Sequence, residues 1–138
     1  MKESTVTGSP SKPKILVIED QPDVLATILY LLKHVDCEGV GARTGAEGMQ
    51  LAKDGKFDLI TLDIVLPDTD GMGLCRRLKQ NQQLRHIPVI FVSGYGGKGT
   101  RQRCLELGAA DYILKPFDAR VFISSIFFHL KIAPGTER

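Results

Sequence analysis

Four of the chain's short apolar runs end on a polar side chain, and stretches of helical periodicity separate them. The runs lie within residues 15–18, 59–62, 88–92 and 111–114, with a weaker, glycine-containing one across 36–42. Continuous and rich in β-branched residues, they read as strands buried on both faces of a sheet. Between the first two strands, Val24, Leu25, Ile28, Leu29 and Leu32 recur at helical spacing. Pro22 opens that helix, Thr44-Gly45-Ala46-Glu47 is a capping-box pattern, and Asp118 is placed to cap the last helix, expected to run to about Lys131. Every connection between strands is long enough for a crossover, which predicts a parallel sheet in a doubly wound α/β sandwich.

A length of 138 residues suits one domain and needs no metal or disulfide staple. With 43% apolar and 25% charged residues the composition is that of a soluble globular chain. The net charge of +2 is too small to suggest nucleic-acid binding. No apolar run reaches the roughly 18 residues of a membrane span, and no signal-peptide core opens the chain. A cytoplasmic location is therefore expected. Cys37, Cys75 and Cys104 are widely spaced in apolar contexts and read as reduced core thiols. No cysteine or histidine spacing fits zinc. Residues 1–13 read as a disordered leader, 14–132 as the folded domain and 133–138 as a tail.

In a parallel sheet the carboxyl ends of the strands share one edge, and sites form there. That edge would gather Glu19-Asp20, Asp63, Ser93 and Lys115. Each has a plain structural use: the acidic pair and Asp63 as caps, Ser93 as a turn residue, Lys115 as a surface lysine. Their coincidence at the strand ends is what favours a site.

The order and spacing of these pieces identify a family. Glu19-Asp20, the block Leu62-Asp63-Ile64-Val65-Leu66-Pro67-Asp68-Thr69-Asp70-Gly71, Ser93 after an apolar strand, and Ala110-Asp111-Tyr112-Ile113-Leu114-Lys115-Pro116-Phe117 together resemble the receiver domain of bacterial response regulators, of the CheY-like superfamily. The resemblance covers about residues 14–132 and implies a flavodoxin-like three-layer fold with five strands in the order 2-1-3-4-5. It implies that Asp63 accepts a phosphoryl group, that Glu19 and Asp20 hold a metal ion, that Ser93 and Lys115 contact the phosphoryl group, and that Tyr112 is an aromatic switch. The Lys115-Pro116 bond is expected to be cis. The plainer reading of Tyr112 is a core residue. The oxygen-only donor set suits magnesium, with Asp20 and Asp63 expected to bind directly, Glu19 through water and the Val65 carbonyl as a further ligand. The donor would be a histidine kinase or phosphotransfer protein. The implied role is a signalling domain rather than an enzyme, its only chemistry being self-catalysed phosphoryl transfer and autodephosphorylation. On phosphorylation Ser93 would move inward, the loop 94–99 with its four glycines would follow, and Tyr112 would fill the vacated space. The surface so switched is that of the following helix, the fifth strand and the last helix.

The last helix carries more apolar residues than one stripe needs, among them Val121, Phe122, Ile123, Ile126, Phe127 and Phe128. Unless the helix is simply deeply packed, Phe122, Ile126, Phe127 and Phe128 are therefore expected to form a surface for a second copy or a downstream protein. Two other readings compete. A pseudo-receiver would act only through protein contacts. A hydrolase with an aspartyl-phosphate intermediate needs an acid two residues after the nucleophile, where this chain has Val65. Residues 94–100 lack the phosphate-loop spacing of a nucleotide-binding module.

Overall fold

The computed structural model describes residues 12–131. The expected leader falls almost wholly outside them, as does the expected tail. The exceptions are Lys12 and Pro13. Pro13 is buried and its carbonyl accepts from the Glu38 N–H at 2.8 Å, so the fold begins one residue earlier than the apolar pattern indicates.

Strands and helices alternate strictly. They are β1 (Lys14–Ile18), α1 (Pro22–His34), β2 (Glu38–Ala42), α2 (Gly45–Asp54), β3 (Leu59–Leu62), α3 (Gly71–Gln80), β4 (Val89–Ser93), α4 (Thr100–Glu106), β5 (Asp111–Leu114) and α5 (Ala119–Leu130). The five strands form one parallel sheet in the order β2-β1-β3-β4-β5. The parallel direction is the one the sequence pattern predicts, and the strand order is the one the family resemblance implies.

Side-chain alternation along each strand divides the core into two layers. Leu16, Ile18, Ile60, Leu62, Val89 and Phe91 face one side, where they meet Ala52 of α2, Leu74, Cys75 and Leu78 of α3, and Cys104 of α4. Ile15, Val17, Leu59, Ile90, Val92 and Ile113 face the other, against Ile28 and Leu32 of α1 and Phe122, Ile126 and Phe127 of α5. Burying each such side chain contributes roughly 1.5–3 kcal/mol. All three cysteines lie in these layers. Among the described residues no helix is long and apolar enough to cross a membrane.

Local chemistry sets the helix ends. Thr44 Oγ1 accepts from Glu47 N at 3.0 Å, and Glu47 Oε1 reaches back to the Arg43 N–H at 2.9 Å. Asp70 Oδ1 accepts from Met72 N at 3.0 Å and Asp118 Oδ1 from Arg120 N at 2.7 Å, capping α3 and α5. At its other end α5 stops on Lys131 in the left-handed region, φ 61°.

Helix α5 corrects one expectation. Phe122, Ile126 and Phe127 are buried against the sheet and are not a surface. Only Phe128 of the four is exposed, at 75%, with Val121 beside it at 57%. The sheet face uses a wider stripe of α5 than an amphipathic surface helix needs, and the stripe absorbs the apolar surplus.

Candidate functional site

Register brings the polar strand ends together. Ile18 pairs with Leu62, so the residues that follow them, Glu19 and Asp63, leave the sheet side by side. The Asp63 N–H still donates to the Ile18 carbonyl at 3.1 Å. Ser93 pairs with Leu114, and the Lys115 N–H donates to the Ser93 carbonyl at 2.8 Å. Glu19, Asp20 and Asp63 each offer a carboxylate oxygen within 4.8 Å of the others.

Lys115 closes the group from the far side of the sheet. Its Nζ lies 2.9 Å from Asp63 Oδ2 and 2.8 Å from Glu19 Oε1, and it follows the sheet into a cis peptide bond with Pro116. Burial alone would pull the ammonium's pKa down, but the hydrogen bonds it donates to Glu19 and Asp63 outweigh it and the value stands above the ordinary lysine range. Glu19 is also raised. Its burial and the Asp63 charge exceed what a share of one lysine returns. Three carboxylates facing one ammonium leave the pocket net negative. Three hard oxygen donors around a negative pocket fit a divalent cation such as magnesium.

The loop after Asp63 is held tightly. The Val65 N–H donates to Asp63 Oδ1 at 3.3 Å, while the Val65 side chain points out, 63% exposed. Val65 and Asp70 form an antiparallel bridge, and the Gly71 N–H donates to the Ile64 carbonyl at 2.6 Å. A Cβ at Gly71 would lie 2.0 Å from the Asp63 carbonyl oxygen, so no larger residue fits this turn unshifted. Asp68 ties the same loop to α2, accepting from Gly45 N at 2.8 Å and Ala46 N at 2.9 Å.

Ser93 is buried and its Oγ accepts from the Tyr95 N–H at 3.2 Å. Tyr112 faces inward in the unmodified chain. Its ring is already buried in this structure, packed with Phe91, and its hydroxyl donates to the Tyr95 carbonyl. The phenol thus satisfies its hydroxyl on a backbone acceptor without leaving the core. Burial raises the phenol pKa, with a side-chain hydrogen bond to Ser93 working against it.

Sequence reasoning passes over several residues. Gln21 Oε1 accepts from Lys115 Nζ at 3.0 Å, and the Arg43 guanidinium donates to the Asp20 carbonyl from Nε at 3.3 Å and Nη2 at 3.1 Å. The single signal for Gln21 is that glutamine is a poor N-cap, yet it stands at that position. Nothing in the sequence marks Arg43.

Comparison with known proteins follows the same line. The sequence model of the response regulator receiver domain matches residues 15–127. The polar-differentiation response regulator DivK of Brucella ovis is 34% identical over 116 residues, spanning 84% of this chain and 94% of its own. Among solved structures, a CheY-like response regulator receiver domain protein from Methanospirillum hungatei superposes with a TM-score of 0.82 at 28% identity, covering 88% of this chain and 95% of that one. The signal receiver domain of a signal transduction histidine kinase from Syntrophus aciditrophicus gives 0.80 at 33% identity, covering 91% and 95%.

Proposed function

The chain belongs to the response regulator receiver family, and on that premise we propose that it accepts a phosphoryl group on Asp63 from a phosphohistidine of a kinase or phosphotransfer protein. The observation that carries this is the meeting of Glu19, Asp20 and Asp63 within 4.8 Å, with Lys115 Nζ 2.9 Å from Asp63 Oδ2. Glu19, Asp20, Asp63 and the Val65 carbonyl would hold magnesium. When bound, the ion neutralises charge on the phosphoryl oxygens and the attacking carboxylate.

Asp63 is held for attack by its own neighbours. Lys115 fixes one of its oxygens and the Val65 N–H the other. An Asp63 oxygen bonds to phosphorus as the phosphorus–nitrogen bond breaks, and the electron pair stays on the donor imidazole, which takes up a proton. Lys115 places a compact positive charge beside the transferred group. The Ser93 hydroxyl donates a hydrogen bond to a phosphoryl oxygen, and the loop 94–99 follows it. The face made by α4, β5 and α5, where Leu114, Val121 and Phe128 stand exposed, then meets a downstream protein or a second copy. Water finally bonds to phosphorus, the aspartyl oxygen–phosphorus bond breaks, and the carboxylate and inorganic phosphate are restored. A cytoplasmic setting belongs to this reading.

Intact mass after incubation with magnesium and acetyl phosphate tests it. The wild-type chain should gain one phosphoryl group and the Asp63→Asn chain none. No adduct with acetyl phosphate or with a phosphohistidine donor would overturn the reading. The exposed, apolar Val65 cannot orient water, so the adduct should persist at neutral pH well beyond seconds.

A further inference from the structure

We propose that the cleft between α3 and α4 docks a short acidic segment of a partner protein. Charge is unevenly placed along the chain. Residues 14–70 carry eleven carboxylates against five lysines and arginines, whereas residues 71–110 carry seven lysines and arginines and one carboxylate, Glu106. Helices α3 and α4 fall in the second span. They pack on the same side of the sheet, through Leu74, Cys75 and Leu78 from one and Cys104 from the other.

Helical spacing sorts these cations. Lys79 lies against the residues just past α4, where a Cβ on Gly108 would meet its Cγ at 3.1 Å. The flank of α3 that carries Lys79 therefore faces α4, and Arg76, three residues earlier, shares it. On α4, Arg101 turns toward β5, donating to the Tyr112 carbonyl at 3.0 Å and lying 3.5 Å from Asp111. Arg103, two positions on, projects from the opposite flank, toward α3. Lys79 itself is spent, its Nζ donating to the Arg85 and Ile87 carbonyls at 3.2 and 2.7 Å, which brings Arg85 to the foot of the cleft. Lys98 precedes α4 at its head. Arg76, Arg85, Lys98 and Arg103 are exposed, and none has a carboxylate partner among the described residues. The acids of the two helices are engaged elsewhere: Asp70 caps α3, and Glu106 accepts from Gln102 at 3.1 Å. Three of the four unpaired cations are arginines, whose planar fork grips a carboxylate through two parallel hydrogen bonds. A nucleic-acid strand running past the cleft would meet the acid-rich half of a chain whose net charge is only +2. A short run of Asp and Glu ends where the cations end.

A fluorescein-labelled oligoglutamate peptide, followed by anisotropy with the full chain, tests this. Binding should weaken as salt rises from about 50 to about 200 mM. Arg76→Glu combined with Arg103→Glu should weaken it at least about tenfold. Lys33→Glu combined with Lys56→Glu makes the same change in net charge at exposed positions on α1 and after α2, and should leave binding within about twofold. In the 15N-labelled chain the peptide should shift amide signals of α3 and α4. Equal losses in the two double variants would reduce the effect to bulk charge and overturn the proposal. So would a wild-type chain that ignores the peptide at low salt. Tighter binding of a single-stranded oligonucleotide of equal charge would give the cleft to nucleic acid instead. A salt-sensitive dimer in sedimentation, lost in the arginine pair, would give it to a second copy. None of these outcomes depends on whether Asp63 accepts a phosphoryl group.

Discussion

Glu19 is 1% exposed, stands beside Asp63 and shares Lys115 with it. Its raised pKa means that the fold holds this charge reluctantly, even with the lysine in place. Removing the charge while keeping an oxygen for Lys115 should relieve the fold. Glu19→Gln is expected to raise the urea midpoint without altering the slope when magnesium is absent, and to weaken magnesium binding. A lower midpoint would mean that the ion pair outweighs the burial and that the site is not strained in this way. Asp63, Glu19 and Lys115 are legible in the sequence because each terminates a strand, and sheet topology alone brings strand ends together. Gln21 and Arg43 act through the reach of a long side chain, which no periodicity records.

The strands are legible for a similar reason: continuous β-branched runs have few alternatives to a doubly covered sheet. Helix α5 is not, because counting apolar residues says how many there are and not which way each faces. Its neighbouring phenylalanines provide the contrast. Phe127 lies in the core with Phe122 and Ile126, whereas Phe128 is 75% exposed. Phe127→Ala should cost about 3–5 kcal/mol by chemical denaturation. Phe128→Ala should stay within about 0.5 kcal/mol of wild type, and any effect it has should appear in association with a partner or second copy. Equal losses at both positions would contradict the orientation of α5.

Asp111 joins three elements at the face opposite β2. It accepts from Ser125 Oγ of α5 at 2.7 Å and from the Tyr112 N–H at 2.8 Å, and it lies 3.5 Å from Arg101 of α4 and 3.6 Å from His129 of α5. Burial would raise its pKa, but the Ser125 and Tyr112 hydrogen bonds and the Arg101 and His129 charges together hold it below the usual value of 3.8. A depressed carboxyl stabilises the fold above its unfolded pKa and loses that contribution as pH falls through the folded one. Asp111→Asn should therefore be less stable than wild type at pH 7, and the difference should shrink below about pH 4. A gap independent of pH would remove the charge from the explanation. No sequence pattern announces this junction, since Ser125 and His129 look like ordinary residues of the polar face. The close passage of Gly71 over the Asp63 carbonyl has a mechanical consequence. With Asp68 fastened to α2 and Gly71 to Ile64, the bank of the pocket below Asp63 is clamped at two points. The opposite bank runs through exposed residues 94–99 to Gly99 at φ 79° and to Thr100, whose buried hydroxyl has no partner. On the phosphoacceptor reading, a push delivered at Asp63 would be expected to move the exposed bank rather than the clamped one.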